Sequence, residues 1–175
     1  MRQERREAAN DIGTEPDLGV LTQGDGFVEA RLTRVFDHPQ ATVWAALTDP
    51  ARLVEWLAPG QIAAEVGGPA KLNFVDSGIV IDSAVTAYAA PSLLEYSWSG
   101  PGEPLRPLRW EVAAEGEGAR LTLTLRSPDG EDVARSCAGW EAHLEMLAAA
   151  LEGVPIKFPF ERFKATREAY KALLA

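Results

Sequence analysis

Four side chains with chemical capacity sit at positions whose neighbours are apolar: Arg34, Tyr96, Cys137 and His143. Arg34 shares strand parity with Leu32 and Phe36. A guanidinium facing a core must be paired. It is therefore either a polar anchor for a carboxylate-bearing ligand or the partner of an acidic neighbour near a strand end. His143 follows Trp140 by three and precedes Leu144 and Leu147. As a general base it needs an orienting carboxylate and a substrate within reach. Glu141 and Glu145 project at other angles, because residues two apart on a helix do not face each other. His38, before Pro39, reads as a capping or solvent-facing residue. Cys137 has only Glu141 in helical phase as a base, which makes a weak nucleophile pair, so a buried inert thiol is expected. No catalytic residue is assigned. An enzyme using Arg34, Tyr96 and His143 stands as an alternative.

Cofactor and metal chemistry find little footing. One cysteine and two histidines exclude an internal disulfide and the usual zinc frameworks. Gly67-Gly68 leads into a strand, not a helix N-terminus, so it is no phosphate loop. We expect no cofactor and no metal. What the sequence does supply is aromatic surface, with five tryptophans. Trp44 reads as a core anchor. Trp98, Trp110 and Trp140 are candidates to line a cavity for an apolar ligand. The expected ligand-binding set is Phe74, Tyr96, Trp98, Trp110, Leu123, Trp140, His143 and Leu144, with Arg34 as its candidate polar anchor.

These side chains need elements to position them. Apolar residues alternate through Val28–Phe36, a half-buried strand. Pro39 and Asp49-Pro50 open two short helices carrying Val43, Trp44, Leu47 and then Leu53, Trp56, Leu57. Strands follow at Ala70–Phe74, Ile79–Tyr88, Leu94–Trp98, Leu108–Val112 and Leu121–Leu125, the last two joined through the Glu115–Gly118 turn. Short connections make them antiparallel neighbours. From Glu131 to Glu152 the period becomes helical, with Val133, Cys137, Trp140, Leu144, Leu147 and Leu151 in one stripe. That stripe is the one large enough to cover the sheet. The expected fold class is α+β, a curved antiparallel sheet of six to seven strands around one long helix.

The chain of 175 residues carries a net charge of −9. Such acidity argues against sequence-independent nucleic-acid binding, and no apolar run reaches membrane-spanning length. The opening segment, MRQERREAANDIGTEPDLG, lacks the apolar core of a signal peptide. A soluble, cytoplasmic protein is expected. Residues 1–25 are expected to form a disordered acidic tail and 26–153 the domain. Residues 154–175 should form an amphipathic helical extension with five basic and two acidic residues. Its stripe of Phe160, Phe163, Tyr170 and Leu174 needs a surface: its own domain, a second subunit in a homodimer, or a partner protein.

Several of these segments together resemble a known family. Arg34-Val35-Phe36-Asp37-His38-Pro39, Val43–Pro50 and Trp56-Leu57 look like the opening of the START/Bet v 1-like helix-grip superfamily (SRPBCC). The nearer branch is the one named after the activator of the heat-shock-protein-90 ATPase. Gly67-Gly68, Leu94–Trp98, Thr122–Leu125 and Gly139-Trp140 with Leu144 and Leu147 are similar to its later landmarks. The resemblance covers about residues 27–152. It implies the helix-grip fold with an apolar cavity between sheet and long helix. It leaves function open among small-molecule binding, a stress-related, chaperone-associated interaction role, and a cyclase- or hydrolase-like enzyme acting in the cavity.

Overall fold

The structure, a computed structural model, describes residues 18–175. Most of the expected tail, residues 1–17, lies outside the described residues. Its remainder departs from expectation. Val20–Gln23 form an edge strand, β1, paired with β2 (Phe27–Phe36) through Val20↔Arg31 to Gln23↔Val28. Four residues with little apolar pattern become a strand because β2 offers them a free edge of backbone donors and acceptors.

After β2 come helices α1 (Gln40–Thr48) and α2 (Pro50–Trp56). Strands β3 (Gly60–Ile62), β4 (Pro69–Phe74), β5 (Ile79–Ala89), β6 (Leu93–Ser97), β7 (Pro107–Glu115) and β8 (Gly118–Pro128) follow. Helices α3 (Val133–Leu151) and α4 (Phe160–Leu174) complete the described chain. The sheet has eight antiparallel strands in the order β1-β2-β8-β7-β6-β5-β4-β3. This is the helix-grip arrangement, with the short edge strands β1 and β3 added to the six that alternation reveals. β3 requires its glycine: a Cβ on Gly60 would stand 2.0 Å from the Lys71 carbonyl oxygen.

Alternation sets which side chains face α3. Across neighbouring strands Leu32 pairs with Leu123, Leu123 with Trp110, and Trp110 with Leu94. All four are buried, and each stabilises the fold by about 1.5–3 kcal/mol through its removal from water. From the helix side, Val133, Cys137, Trp140, Leu144 and Leu147 meet this row. Asp132 caps α3 by accepting from the Arg135 N–H at 3.1 Å, and Glu131 pairs with Arg106 at 2.8 Å. Asp49 caps α2 through the Ala51 N–H. The buried Trp56 indole donates to the Ala46 carbonyl at 2.8 Å, tying α2 to α1. His38 does not cap α1; its Nε2 meets Glu152 at 2.7 Å, at the far end of α3.

α4 runs back along α3, with Arg162 on Glu145 at 3.1 Å and Arg167 on Asp132 at 2.9 Å. Its buried face differs from the expected stripe. Thr166 and Tyr170 are fully buried and Phe163 is half-buried, whereas Phe160 and Leu174 are exposed. The boundary expected at residue 153 is therefore bridged by helix packing.

Candidate functional site

Between sheet and long helix the aromatic side chains form one continuous run. The Trp56 and Trp110 rings lie 5.8 Å apart, Trp110 and Trp140 5.5 Å, Trp140 and Trp98 4.7 Å, and Trp98 and Phe74 5.8 Å, all edge-to-face. Such pairs add about 0.5–1.5 kcal/mol each beyond area burial. Tyr96 joins through Trp98 at 6.5 Å. Leu123 and Leu144 are buried on the two facing elements. The run begins fully inside, at Trp56 and Trp110, and ends at the half-buried Phe74 and Trp98. Two surface grooves lie outside it. One of about 480 Å³ is lined by Gln61, Lys71, Asn73, Val80 and Asp82; the other, of about 450 Å³, by Leu21, Val28, Leu173 and Leu174.

His143 stands at the outer end of the run, against Phe74 at 6.0 Å, Trp140 at 5.7 Å and Phe158 at 5.6 Å. Its Nδ1 is 3.0 Å from the Trp56 carbonyl oxygen. A carbonyl only accepts, so Nδ1 carries the proton and donates. The partner arises because the last carbonyls of a helix have no intrahelical donor. Burial lowers the imidazole pKa, only partly offset by that hydrogen bond, so the ring is neutral near pH 7. The unfolded chain then binds more protons below about pH 6.5. The stabilisation is full above that value and is lost as pH falls toward the lowered folded pKa. Between pH 7 and pH 5 the melting temperature of the wild type is expected to fall more than that of His143→Phe. Parallel pH dependences of the two would contradict this.

Arg34 is inward, as its parity predicts, but it is engaged. It pairs with Glu141 of α3, whose side chain is 4% exposed. The Tyr170 hydroxyl donates to the other Glu141 oxygen and accepts from the Gly19 N–H at 2.6 Å. Burial and the Glu141 charge push the Tyr170 phenol up. One carboxylate thus joins β2, α3, α4 and the segment leading into β1. The sequence places Glu141 beside Cys137 and Tyr170 on the α4 stripe, but brings neither to Arg34. The available signal was an acidic residue one turn beyond Cys137, opposite an inward arginine. Arg34, Tyr96 and His143 make no hydrogen bonds with one another among the described residues.

Burial pushes the Tyr96 hydroxyl up as well. Burial, aided by the Glu141 charge, raises the Cys137 thiol to about 12. We expect Cys137 to resist an aromatic disulfide reagent in the native state and to react only as fast as the protein opens. Stoichiometric labelling within the mixing time would overturn this. No group of three or more His, Cys, Asp or Glu residues among the described residues could hold a metal ion, and no described helix is long and apolar enough to cross a membrane.

The sequence model of the Activator of Hsp90 ATPase homolog 1-like protein family matches residues 37–152. The chain belongs to this family. The match begins one residue after β2 and ends just past α3, so within this activator-homologue frame Arg34, Phe158 and Tyr170 come from flanking segments. A search of curated proteins finds no match. Among solved structures, the crystal structure of CalU16 from Micromonospora echinospora has a TM-score of 0.75 at 22% identity, covering 90% of this chain and 99% of that one. The solution structure of the BPP1335 protein from Bordetella parapertussis gives 0.68 at 26% identity, with coverages of 87% and 89%. DynU16, from the dynemicin biosynthetic locus, gives 0.65 at 30% identity, with 75% of this chain and 49% of that chain covered. The family assignment and these likenesses agree on the helix-grip fold.

Proposed function

We propose that the protein binds an apolar or amphipathic small molecule between the sheet and α3, at the end of the aromatic run where Phe74, Trp98 and His143 are half-buried. The observation that carries this is the run itself. Indoles in sequence from Trp56 to Trp98 provide an apolar, polarisable wall, and the wall ends near the surface instead of being sealed. Apolar walls with few polar groups are the usual make-up of ligand sites. A relative from a biosynthetic locus is consistent with small-molecule binding. Native mass spectrometry of protein purified from its own host tests the proposal, together with titration of tryptophan fluorescence by a panel of apolar compounds. A retained ligand mass or saturable quenching is expected. Absence of both would end it.

A second reading has its own observation. Val154, Ile156 and Phe160 expose 62%, 42% and 67% of their surface on one short stretch. They would suit docking to a partner protein or a second copy, as in a chaperone-associated role. The Ile156→Ser/Phe160→Ser variant should then lose a partner that the wild type retains in a pull-down, or lose a dimer seen by light scattering. Identical behaviour of the two proteins counts against it.

A further inference from the structure

His143 has a second nitrogen. With Nδ1–H committed to Trp56, Nε2 is a bare acceptor. No described residue donates to it. The His143 side chain is half-buried, so the ring is not sealed from solvent. Around the ring stand Phe74, Trp140 and Phe158, all aromatic and none presenting a hydroxyl.

Phe158 differs from the other two. It does not belong to the sheet or to α3. It comes from the connection between α3 and α4, after Gly153 turns the chain with φ of +82°. Val154, Pro155, Ile156 and Lys157 are exposed. Beyond the Val154 N–H bond to Ala149, the described backbone hydrogen bonds hold none of residues 155–158 to the sheet or α3. Phe158 is kept in place by ring contacts with His143 at 5.6 Å, Phe160 at 4.9 Å and Phe163 at 5.5 Å. A half-buried ring on a segment so weakly tied can leave at small cost.

We propose that Phe158 is a built-in occupant of the ligand site, and that the ligand which displaces it is a planar aromatic compound whose hydroxyl donates to His143 Nε2. This rests on the small-molecule reading above and narrows it to phenol-type ligands. Phe158 reproduces the ring contacts but cannot supply the proton that Nε2 lacks. A hydroxylated ring supplies both. Competition by the intramolecular ring reduces apparent affinity by the fraction of molecules in which the site is open.

Tryptophan-fluorescence titrations with 1-naphthol and 1-methylnaphthalene test the proposal in the wild type, Phe158→Ala and His143→Phe. Phe158→Ala should bind both probes about two- to tenfold more tightly. The ratio of naphthol to methylnaphthalene affinity should fall about three- to tenfold in His143→Phe. In the wild type, the ¹⁵N resonance of His143 Nε2 should move with naphthol and stay with methylnaphthalene, a readout that survives if His143→Phe does not fold. Unchanged affinities in Phe158→Ala would overturn the occupant. Probes that bind well but leave both the ratio and the Nε2 resonance unchanged would overturn the hydroxyl donor while the aromatic site stands. Failure of both probes to bind any of the proteins would remove the site, and the proposal with it.

Discussion

Trp140→Ala is expected to lower stability by about 3–5 kcal/mol, the range for removing a large aromatic from a packed core. Trp140 is 5% exposed and lies edge-to-face on both Trp98 and Trp110. Truncation removes these two pairs and the tilted contact with His143, and leaves a void that the sheet can close only partly. For a chain of this size each kcal/mol lowers the melting temperature by about 2–4 °C, so a fall of about 10 °C is the central expectation. The void would be walled by Trp98, Trp110, Cys137 and Leu144. Apolar voids stay dry and accept apolar guests. Indole added at millimolar concentration should therefore raise the variant's melting temperature by more than that of the wild type. A loss under about 1 kcal/mol would show that Trp140 does not bear on the core as its contacts imply.

Arg34→Met should be nearly as severe, by another route. It leaves the buried Glu141 carboxylate with the Tyr170 hydroxyl as its remaining partner. Removing one member of a buried pair typically costs about 3–5 kcal/mol, because a charge stays behind without compensation. Arg34 is 27% exposed, so water can partly replace it and the lower end, about 3 kcal/mol, is expected. Adding Glu141→Leu should restore much of the loss, since an apolar pair of similar volume avoids the desolvation penalty. Urea unfolding of the two single variants and the double variant measures the coupling. Additive losses would mean that the two residues act independently.

The sheet and long helix are legible because burial imposes a period. Leu121, Leu123 and Leu125 can alternate only if one face is covered, and Cys137, Trp140, Leu144 and Leu147 can stripe only if one side of a helix is. The edge strands β1 and β3 have no such constraint. Their partners' free backbone recruits them, and little in Val20–Gln23 announces it. The inward parity of Arg34 was legible, but not its partner, which lies 107 residues away in sequence. In α4, spacing favoured Phe160, Phe163, Tyr170 and Leu174. Tyr170 does turn inward, with Thr166 and not Phe160 or Leu174 buried beside it, and its hydroxyl meets Gly19 and Glu141. Phe158 was visible in a Phe-Pro-Phe run, but its approach to His143 depends on where the α3–α4 connection crosses the helix, which no local pattern encodes.

The neighbour relation of β2 and β8 has a consequence in time. Every residue from Phe27 to Phe36 pairs with one between Ala119 and Pro128. During synthesis, Leu32 and Phe36 therefore wait for roughly 90 further residues before their strand acquires that neighbour. At ribosomal speeds of about 5–20 residues per second the wait is on the order of 5–20 s. Contacts so distant along the chain also slow folding once synthesis is complete. A ribosome-bound chain halted before β8 emerges should remain protease-sensitive throughout β2.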